Sequence, residues 1–333
     1  MTTLPTRVIE ACGLRMSEIG FGASTLGNLH RAMTDDDAHA AVRHAWHRGV
    51  RYFDTAPHYG LGLSERRLGR ALAEYPRAAF VVSTKVGRLL EPNPEPTALD
   101  DDGFVVPGDL RRVWDFSADG VRRSLDGSLT RLGLDHVDIV YAHDPDQFRA
   151  GAAREALEAL AELRSQGVVR AIGVGTNAPD KIPDLFTSGL PDVVMVAGRY
   201  TLLEQGGLAS ALKPARAHGV AVVVAGVFNS GLLSSPWPSA DARYDYTQAA
   251  AEIVERAHRL AEVCMRHDTT LPAAAIAFTL LHPAVVGIAL GMRSITQIDD
   301  NIDRYAQGVP AELWDDLRDG GLVDPAALPP RVL

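Results

Sequence analysis

The chain has 333 residues, 42 acidic against 33 basic, for a formal net charge of −9 and a pI near 5.6. That balance argues against nucleic acid or an anionic membrane as partner, because both call for a basic surface. No apolar run is long enough to cross a bilayer, Met1 to Glu10 lacks the apolar core of a signal peptide, and Cys12 and Cys264 are the only cysteines, without metal-ligand spacing. A cytoplasmic location with no metal centre is therefore expected.

Residues 5–15 alternate as a small hairpin would, and Met16 to Phe21 reads as a short strand ending in Gly22-Ala-Ser-Thr-Leu-Gly. Small residues there let a ligand approach the backbone. Thr34 before three aspartates starts a helix that Gly49 stops. A short apolar strand then ends at Asp54, a Pro-containing loop presents Tyr59, and a helix runs from Leu63 to Glu74.

The strand Phe80 to Lys85 is followed by a long polar stretch, 87–115, rich in Pro, Asp and Gly. It is too long for a plain connector and reads as a partly ordered lid anchored by Phe104, Val105, Val106 and Trp114. Ser117 caps a helix to Leu132, and Val137 to Ala142 is a strand ending at His143-Asp144-Pro145. Further units follow: helix Ala152 to Gln166, strand Val168 to Val174, a short helix from Asp180, strand Asp192 to Ala197, helix Leu208 to His218 and strand Val220 to Ala225. A second long loop, Ser234 to Tyr246, leads to helix Gln248 to His267 and another near Pro272. Strand Val285 to Leu290, a helix from Ile295 to about Tyr305, and a tail with one short helical patch complete the chain.

Short apolar strands without a period of two imply burial on both faces. Eight of them alternating with helices predict an α/β fold, a (β/α)8 TIM barrel with long loops at its C-terminal mouth. A doubly wound sheet would need a Gly-x-Gly-x-x-Gly turn after its first strand, which 20–27 does not supply. No linker or composition break divides residues 1–333, so one domain is expected.

Strand C-termini converge on one mouth of such a barrel. Asp54, Lys85 and His143 each end a strand, and Tyr59 lies in the loop above. Each alone has a plain structural reading: a cap, a salt bridge, a satisfied histidine, loop packing. Their shared placement points to chemistry. Lys85 is one of only three lysines, with Lys181 and Lys213, in a chain rich in Arg. A phenol with pKa near ~10 is a poor base at neutral pH, but a neighbouring ammonium stabilises its phenolate. Asp54 would hold Lys85 charged, His143 would orient a substrate oxygen, and Tyr59 would exchange a proton with it as hydride moves to or from a nicotinamide.

The segment Tyr52-Phe-Asp-Thr-Ala-Pro-His-Tyr-Gly, with Ser64-Glu65, Leu68-Gly69, Ser83-Thr-Lys85, Ser124-Leu125, Arg131-Leu-Gly and Tyr141-Ala-His143, resembles the aldo-keto reductase superfamily over nearly the whole chain. The resemblance implies a catalytic tetrad of Asp54, Tyr59, Lys85 and His143, with Tyr59 as general acid/base, and a dinucleotide extended across the mouth. Cofactor contacts would then come from Gly22, Thr25 and Leu26, from Asp54, and from Thr176 and Asn177 at the carboxamide. Phe228, Asn229, Ser230, Gly231 and Leu232 would cover the pyrophosphate. Gly291, Arg293, Gln297, Asp300 and Asn301 would lie around the adenosine end. The chain departs from the pattern at Met195, where many members have Gln, and at Ala225-Gly226-Val227, where many have Tyr-Ser-Pro. Gln297 replaces an Arg common in NADPH-preferring members, which favours NAD over NADP, although Arg293 lies close by.

Asp115-Phe-Ser-x-Asp-Gly-x-x-Arg-Ser-Leu, His143-Asp-Pro-Asp and Gly198-Arg-Tyr-Thr-Leu-Leu-Glu are similar to the aldose 1-dehydrogenase branch, which includes L-fucose, L-galactose and D-threo-aldose dehydrogenases and pyridoxal 4-dehydrogenase. The expected reaction is oxidation of an anomeric hydroxyl to a lactone, with Tyr59, His143, Asp144 and Trp114 as substrate contacts. The alternatives are pyridoxal oxidation, NADPH-dependent carbonyl reduction of an aldehyde, and a non-catalytic nucleotide-sensing subunit.

Overall fold

The computed structural model describes residues 3–330 except Pro183 and Tyr246. The first two residues of the segment read for a leader, Pro183 in the short helix expected from Asp180, and Tyr246 at the end of the second long loop thus lie outside the described residues.

Eight strands close into a parallel ring: β1 (Ile19–Gly22), β2 (Tyr52–Asp54), β3 (Val81–Val86), β4 (Ile139–His143), β5 (Ala171–Thr176), β6 (Val193–Ala197), β7 (Ala221–Ala225) and β8 (Val285–Gly291). They hydrogen-bond in chain order, with β8 beside β1. Side chains alternate between the two faces of each strand. Tyr52, Val81, Ile139, Tyr141, Val193, Met195 and Val223 thus fill the barrel interior. Phe53, Val82, Val140, Ile172, Val194 and Val222 pack outward against the helices. Both faces are buried, which is why the strands read as continuous apolar runs.

The outer layer comprises α1 (Asp35–His47), α2 (Leu63–Leu72), α3 (Ala118–Leu132), α4 (Ala152–Ser165), α5 (Lys213–Ala217), α6 (Ala251–Arg266), α7 (Leu271–Thr279), α8 (Ile295–Gln307) and α9 (Glu312–Asp319). Thr34, Ser117, Thr270 and Ser294 cap their helices through side-chain oxygens, as residues of that type do at a first turn.

The architecture matches the expected barrel, with local corrections. Met16 and Ser17 belong to the antiparallel hairpin Thr6–Ile9 with Leu14–Ser17, and the barrel strand starts at Ile19. The hairpin inserts Ile9, Leu14 and Met16 into the interior cluster, so Met16 is apolar because it plugs the barrel floor. The fifth unit has a single 3-10 turn, Pro179–Lys181, where a short helix was expected. Gln248 pairs with Arg243 in a small hairpin, and α6 starts at Ala251.

The largest correction concerns 87–115. It is a two-stranded antiparallel ribbon, Arg88–Thr97 paired with Gly108–Trp114. The pairing register shifts between Pro92 and Thr97, so Pro94 and Pro96 fall in the irregular stretch of the ribbon, where no ladder N–H is needed. Phe104 and Val106 at its tip are buried against Leu61, with Tyr59 packed alongside. Val105 is half-buried.

Candidate active site

Strand register assembles the site. Asp54 lies beside Ser83, Lys85 beside Tyr141, and His143 beside Gly175. Tyr52 and Asp54, Ser83 and Lys85, Tyr141 and His143 are therefore three i, i+2 pairs facing inward, each climbing toward the C-terminal mouth. The apolar barrel below gives way there to ionisable groups.

Lys85 is 2% exposed and its Nζ donates to Asp54 Oδ2 at 2.7 Å and to the Thr55 carbonyl at 3.0 Å. Burial works against the ammonium, but Asp54 and Tyr59 outweigh it and hold its pKa above that of a free lysine. Nζ sits 4.8 Å from the centre of the Tyr59 ring. Ser83 Oγ donates to the other Asp54 oxygen at 2.7 Å, and the Tyr52 hydroxyl lies 3.0 Å from Ser83 Oγ. Burial pushes the Tyr52 phenol well up, so it remains a neutral support beneath the ion pair.

Tyr59 is carried by a loop fixed from several sides. Thr55 Oγ1 meets Ser64 Oγ at 2.8 Å, and Ser64 Oγ donates to the Ala23 carbonyl at 2.7 Å. A Cβ on Gly27 would stand 2.6 Å from the Tyr59 carbonyl carbon, so this backbone contact admits only glycine. Buried Glu65 accepts from Thr84 Oγ1 at 2.8 Å and from Arg131 Nε at 2.6 Å, tying α2 to β3 and α3. Ser64, Glu65, Ser83, Thr84 and Arg131 lie in the segments that resemble the family, but these roles carry no local sequence signal because each acts through a partner elsewhere in the chain.

His143 is buried, its ring 5.9 Å from that of Tyr59 and nearly perpendicular to it. Burial and the cations Arg88 and Lys85 hold its pKa well below the usual value, so it is a neutral imidazole. Its Nε2 lies 3.5 Å from Asp144 Oδ2, and its Nδ1 is buried without a partner. His58, absent from the sequence-based candidates, packs 5.5 Å from His143 and accepts at Nδ1 from Arg88 at 3.3 Å. Burial with Arg88, Arg112 and Lys85 pushes it down to about 2.

Trp114 stands half-buried with the Arg88 guanidinium 4.3 Å from its ring centre and Phe116 and Phe148 stacked alongside. Trp114 is thus a platform for Arg88 that also keeps a face toward the cavity under the ribbon. Arg112 donates to the His58 carbonyl at 2.9 Å and grips Asp100 and Asp102 at 2.6 and 2.9 Å, which fastens the ribbon to the Tyr59 loop. A 340 Å³ cavity under the ribbon is lined by Arg88, Asn93, Asp102, Arg112, Trp114 and Gln147.

The remaining candidates gather on the β5–β8 and β1 side. Thr25 Oγ1 donates to the Met292 carbonyl at 2.8 Å, joining the loops after β1 and β8, with Gly22 and Leu26 buried next to it. Thr176 donates to Asp146 at 2.7 Å, and the Asn177 carbonyl accepts from Arg199 at 3.0 Å. Asn229 and Ser230 hold φ of 44° and 58° and Gly231 95°, a left-handed run after β7, with Phe228 half-buried against the core and Leu232 buried. The Asn229 side chain is committed to Thr201 and Gly198, at 2.7 and 3.2 Å. Asn301 is buried and accepts from Arg304 at 3.4 Å, while exposed Asp300 pairs with Arg304 at 3.6 Å. The Asn229 amide is thus spent on the protein's own structure, whereas Asp300 stays exposed and Asn301 is engaged through its amide oxygen.

The outer end suits an anion. Ser294 caps α8, the Arg293 N–H donates to Gln297 Oε1 at 2.9 Å, and the Arg293 guanidinium donates to the carbonyls of Arg31 and Ala32 at 3.3 and 3.1 Å. Burial, then the nearby Arg31, lowers the Arg293 pKa, so two cations crowd beside a helix N-terminus. At the inner end, Met195 and Ala225 border the barrel interior, and a Cβ on Gly291 would find nothing closer than 3.9 Å. Open space at the end of β8 and cations at the outer end fit an extended dinucleotide.

A family profile described as the aldo/keto reductase family matches residues 18–319. The chain is 46% identical to D-threo-aldose 1-dehydrogenase of a Pseudomonas species over 94% of its length and 96% of that protein. It is 38% identical to pyridoxal 4-dehydrogenase of Microbacterium luteolum, covering 95% and 97% of the two chains. An aldo-keto reductase of Bacillus halodurans, solved in its holo form, superposes with a TM-score of 0.74 at 25% identity, over 96% of this chain and 97% of that one. No helix among the described residues is long and apolar enough to cross a membrane.

Proposed function

The chain belongs to the aldo/keto reductase family of NAD(P)-dependent oxidoreductases, and from that premise we propose that it oxidises the anomeric hydroxyl of an aldose to a lactone. The substrate would be of the L-fucose, L-galactose or D-arabinose type. The buried Lys85–Asp54 pair at 2.7 Å, directly beneath the Tyr59 ring, carries this reading.

A bound nicotinamide supplies the hydride acceptor. The Asp54 carboxylate keeps Lys85 charged and aimed, and the ammonium favours the phenolate form of Tyr59. Neutral His143 donates a hydrogen bond to the C1 oxygen and sets its direction. Tyr59 then takes the hydroxyl proton as the C1–H bond breaks. Low dielectric around the pair strengthens each of these interactions. Thr25, Thr176, Asn177 and the 228–232 loop line the nucleotide track, with Arg293 and Gln297 at its adenosine end. NAD is favoured because Gln297 offers a 2′-phosphate no charge, and NADP would depend on Arg293.

The 38% identity to a pyridoxal 4-dehydrogenase supports a second reading, with pyridoxal as the hemiacetal substrate. Carbonyl reduction with NADPH uses the same four groups in reverse. The complete Lys85–Asp54–Tyr59–His143 arrangement argues against a purely nucleotide-sensing subunit. We further propose that the chain acts as one domain. The test is formation of reduced nicotinamide from NAD and NADP with L-fucose, L-galactose, D-arabinose and pyridoxal. Sugar-dependent reduction of NAD supports the proposal; signal with pyridoxal alone replaces the substrate, and NADPH consumption with aldehydes alone overturns the direction and the cofactor preference.

A further inference from the structure

We propose that Asp144 and Arg88 form a hydroxyl-binding subsite next to His143, which reads the hydroxyl on the carbon adjacent to the one oxidised. It rests on the proposed docking of the reacting oxygen at His143.

Three observations converge there. Asp144 Oδ2 is 3.5 Å from His143 Nε2 and 2.6 Å from the Arg88 guanidinium. Two oxygens on adjacent carbons are spaced roughly a hydrogen-bond length apart, so a substrate whose reacting oxygen meets His143 sets its neighbour against Asp144. Next, Arg88 is 8% exposed yet its Nε has no partner. The rest of its guanidinium is committed to Asp144, Gln147 and His58 and rests on Trp114. A buried donor left unmade is costly unless a ligand completes it. Finally, Asp144 sits at φ 45°, where glycine would be cheaper. Its N–H donates to the Gly175 carbonyl at 2.8 Å and its carbonyl accepts from Gln147 at 3.0 Å, so the backbone enforces the turn. The turn fixes the direction in which the Asp144 carboxylate leaves the backbone, toward Arg88 and His143.

The chemistry selects the ligand. A carboxylate accepts only and a guanidinium donates only, whereas a hydroxyl does both and bridges them without changing either charge. An aldehyde or alcohol with a bare adjacent carbon leaves both groups unmet. The polar cavity beyond Arg88 leaves room for the rest of a polyol.

The experiment compares D-arabinose with 2-deoxy-D-ribose, the same sugar without its C2 hydroxyl, as substrates of the wild type, Asp144→Gly and Asp144→Asn. Glycine accepts the positive φ, so the first variant removes the side chain without straining the turn. The wild type is expected to favour D-arabinose by roughly 10- to 100-fold in kcat/KM, mostly through KM, as a charged hydrogen bond to substrate would give. In Asp144→Gly the ratio should fall to within about 3-fold, with Asp144→Asn between the two. A wild-type ratio near one overturns the proposal, and so does a variant that slows both sugars while keeping their ratio. If no sugar is oxidised, the same comparison runs in reduction with D-lactaldehyde against propanal, which differ only in the C2 hydroxyl. Discrimination there, lost in Asp144→Gly, upholds the subsite while the aldose proposal fails; its absence overturns the subsite, and no turnover in either direction overturns both.

Discussion

The two halves of the barrel mouth are built differently. On the β2–β4 side the candidate groups are buried, inward-facing residues near strand ends: Asp54, Ser83 and Lys85, cross-linked by short hydrogen bonds, with His143 beside them. The β5–β8 side offers loop backbone in left-handed conformations, an exposed Gly291 and an exposed Gln297. Proton transfer needs a few side chains held rigidly in a dry place, and strand ends supply that. A long nucleotide needs an open track with many weak contacts, which loops supply. Perturbation should therefore be costly on the first side and mild on the second.

Lys85→Met gives the largest expected effect. It leaves Asp54 buried without its partner, so stability falls by ~3–5 kcal/mol in chemical denaturation. Turnover falls by ~10²–10⁴-fold, as for loss of general acid–base catalysis. Retained turnover would remove the β2–β4 side from the chemistry.

Two glycines sharpen the contrast. Gly27→Ala drives a Cβ to within 2.6 Å of the Tyr59 backbone, and is expected to cost ~1–3 kcal/mol and slow turnover by displacing the phenol. In Gly291→Ala the added Cβ would meet only the Thr25 methyl, 3.9 Å away, so stability should stay within ~0.5 kcal/mol while nucleotide affinity weakens. Equal thermal shifts in the two variants would erase the distinction.

A smaller effect follows from pH. Burial lifts the Asp144 carboxyl to about 6, with Asp146 also raising it and Arg88 and Lys85 opposing; His143 and His58 nearby stay neutral. As pH falls through about 6 the carboxyl gains a proton and its ion pair with Arg88 weakens, so KM for D-arabinose should rise by ~3–10-fold, and not in Asp144→Gly. The sign for stability is opposite. The folded chain binds this proton more tightly than the unfolded one, so the contribution of Asp144 favours folding at low pH and is lost as pH rises through about 6.

The same contrast explains what could be read from sequence. Asp54, Lys85 and His143 were legible because an apolar run ending in one ionisable residue is conspicuous, and barrel topology brings such ends together. The 87–115 ribbon was not, because its prolines and aspartates carry the composition of a loop, while the register shift between Pro92 and Thr97 lets the strands pair on either side of Pro94 and Pro96. Asn229 resembled a ligand contact by position, yet its amide closes local structure. Arg88 and His58 carry no local signal, since their importance arises from contacts across the mouth with Asp144 and His143.

The central claim is that Tyr59 exchanges the proton while the far side of the mouth holds the nucleotide. Its most direct test is Tyr59→Phe, with turnover and nucleotide affinity measured on the same preparation. The account predicts turnover lower by ~10²–10⁴-fold with affinity for NAD or NADP preserved within a few-fold. Turnover within a few-fold of wild type would contradict it.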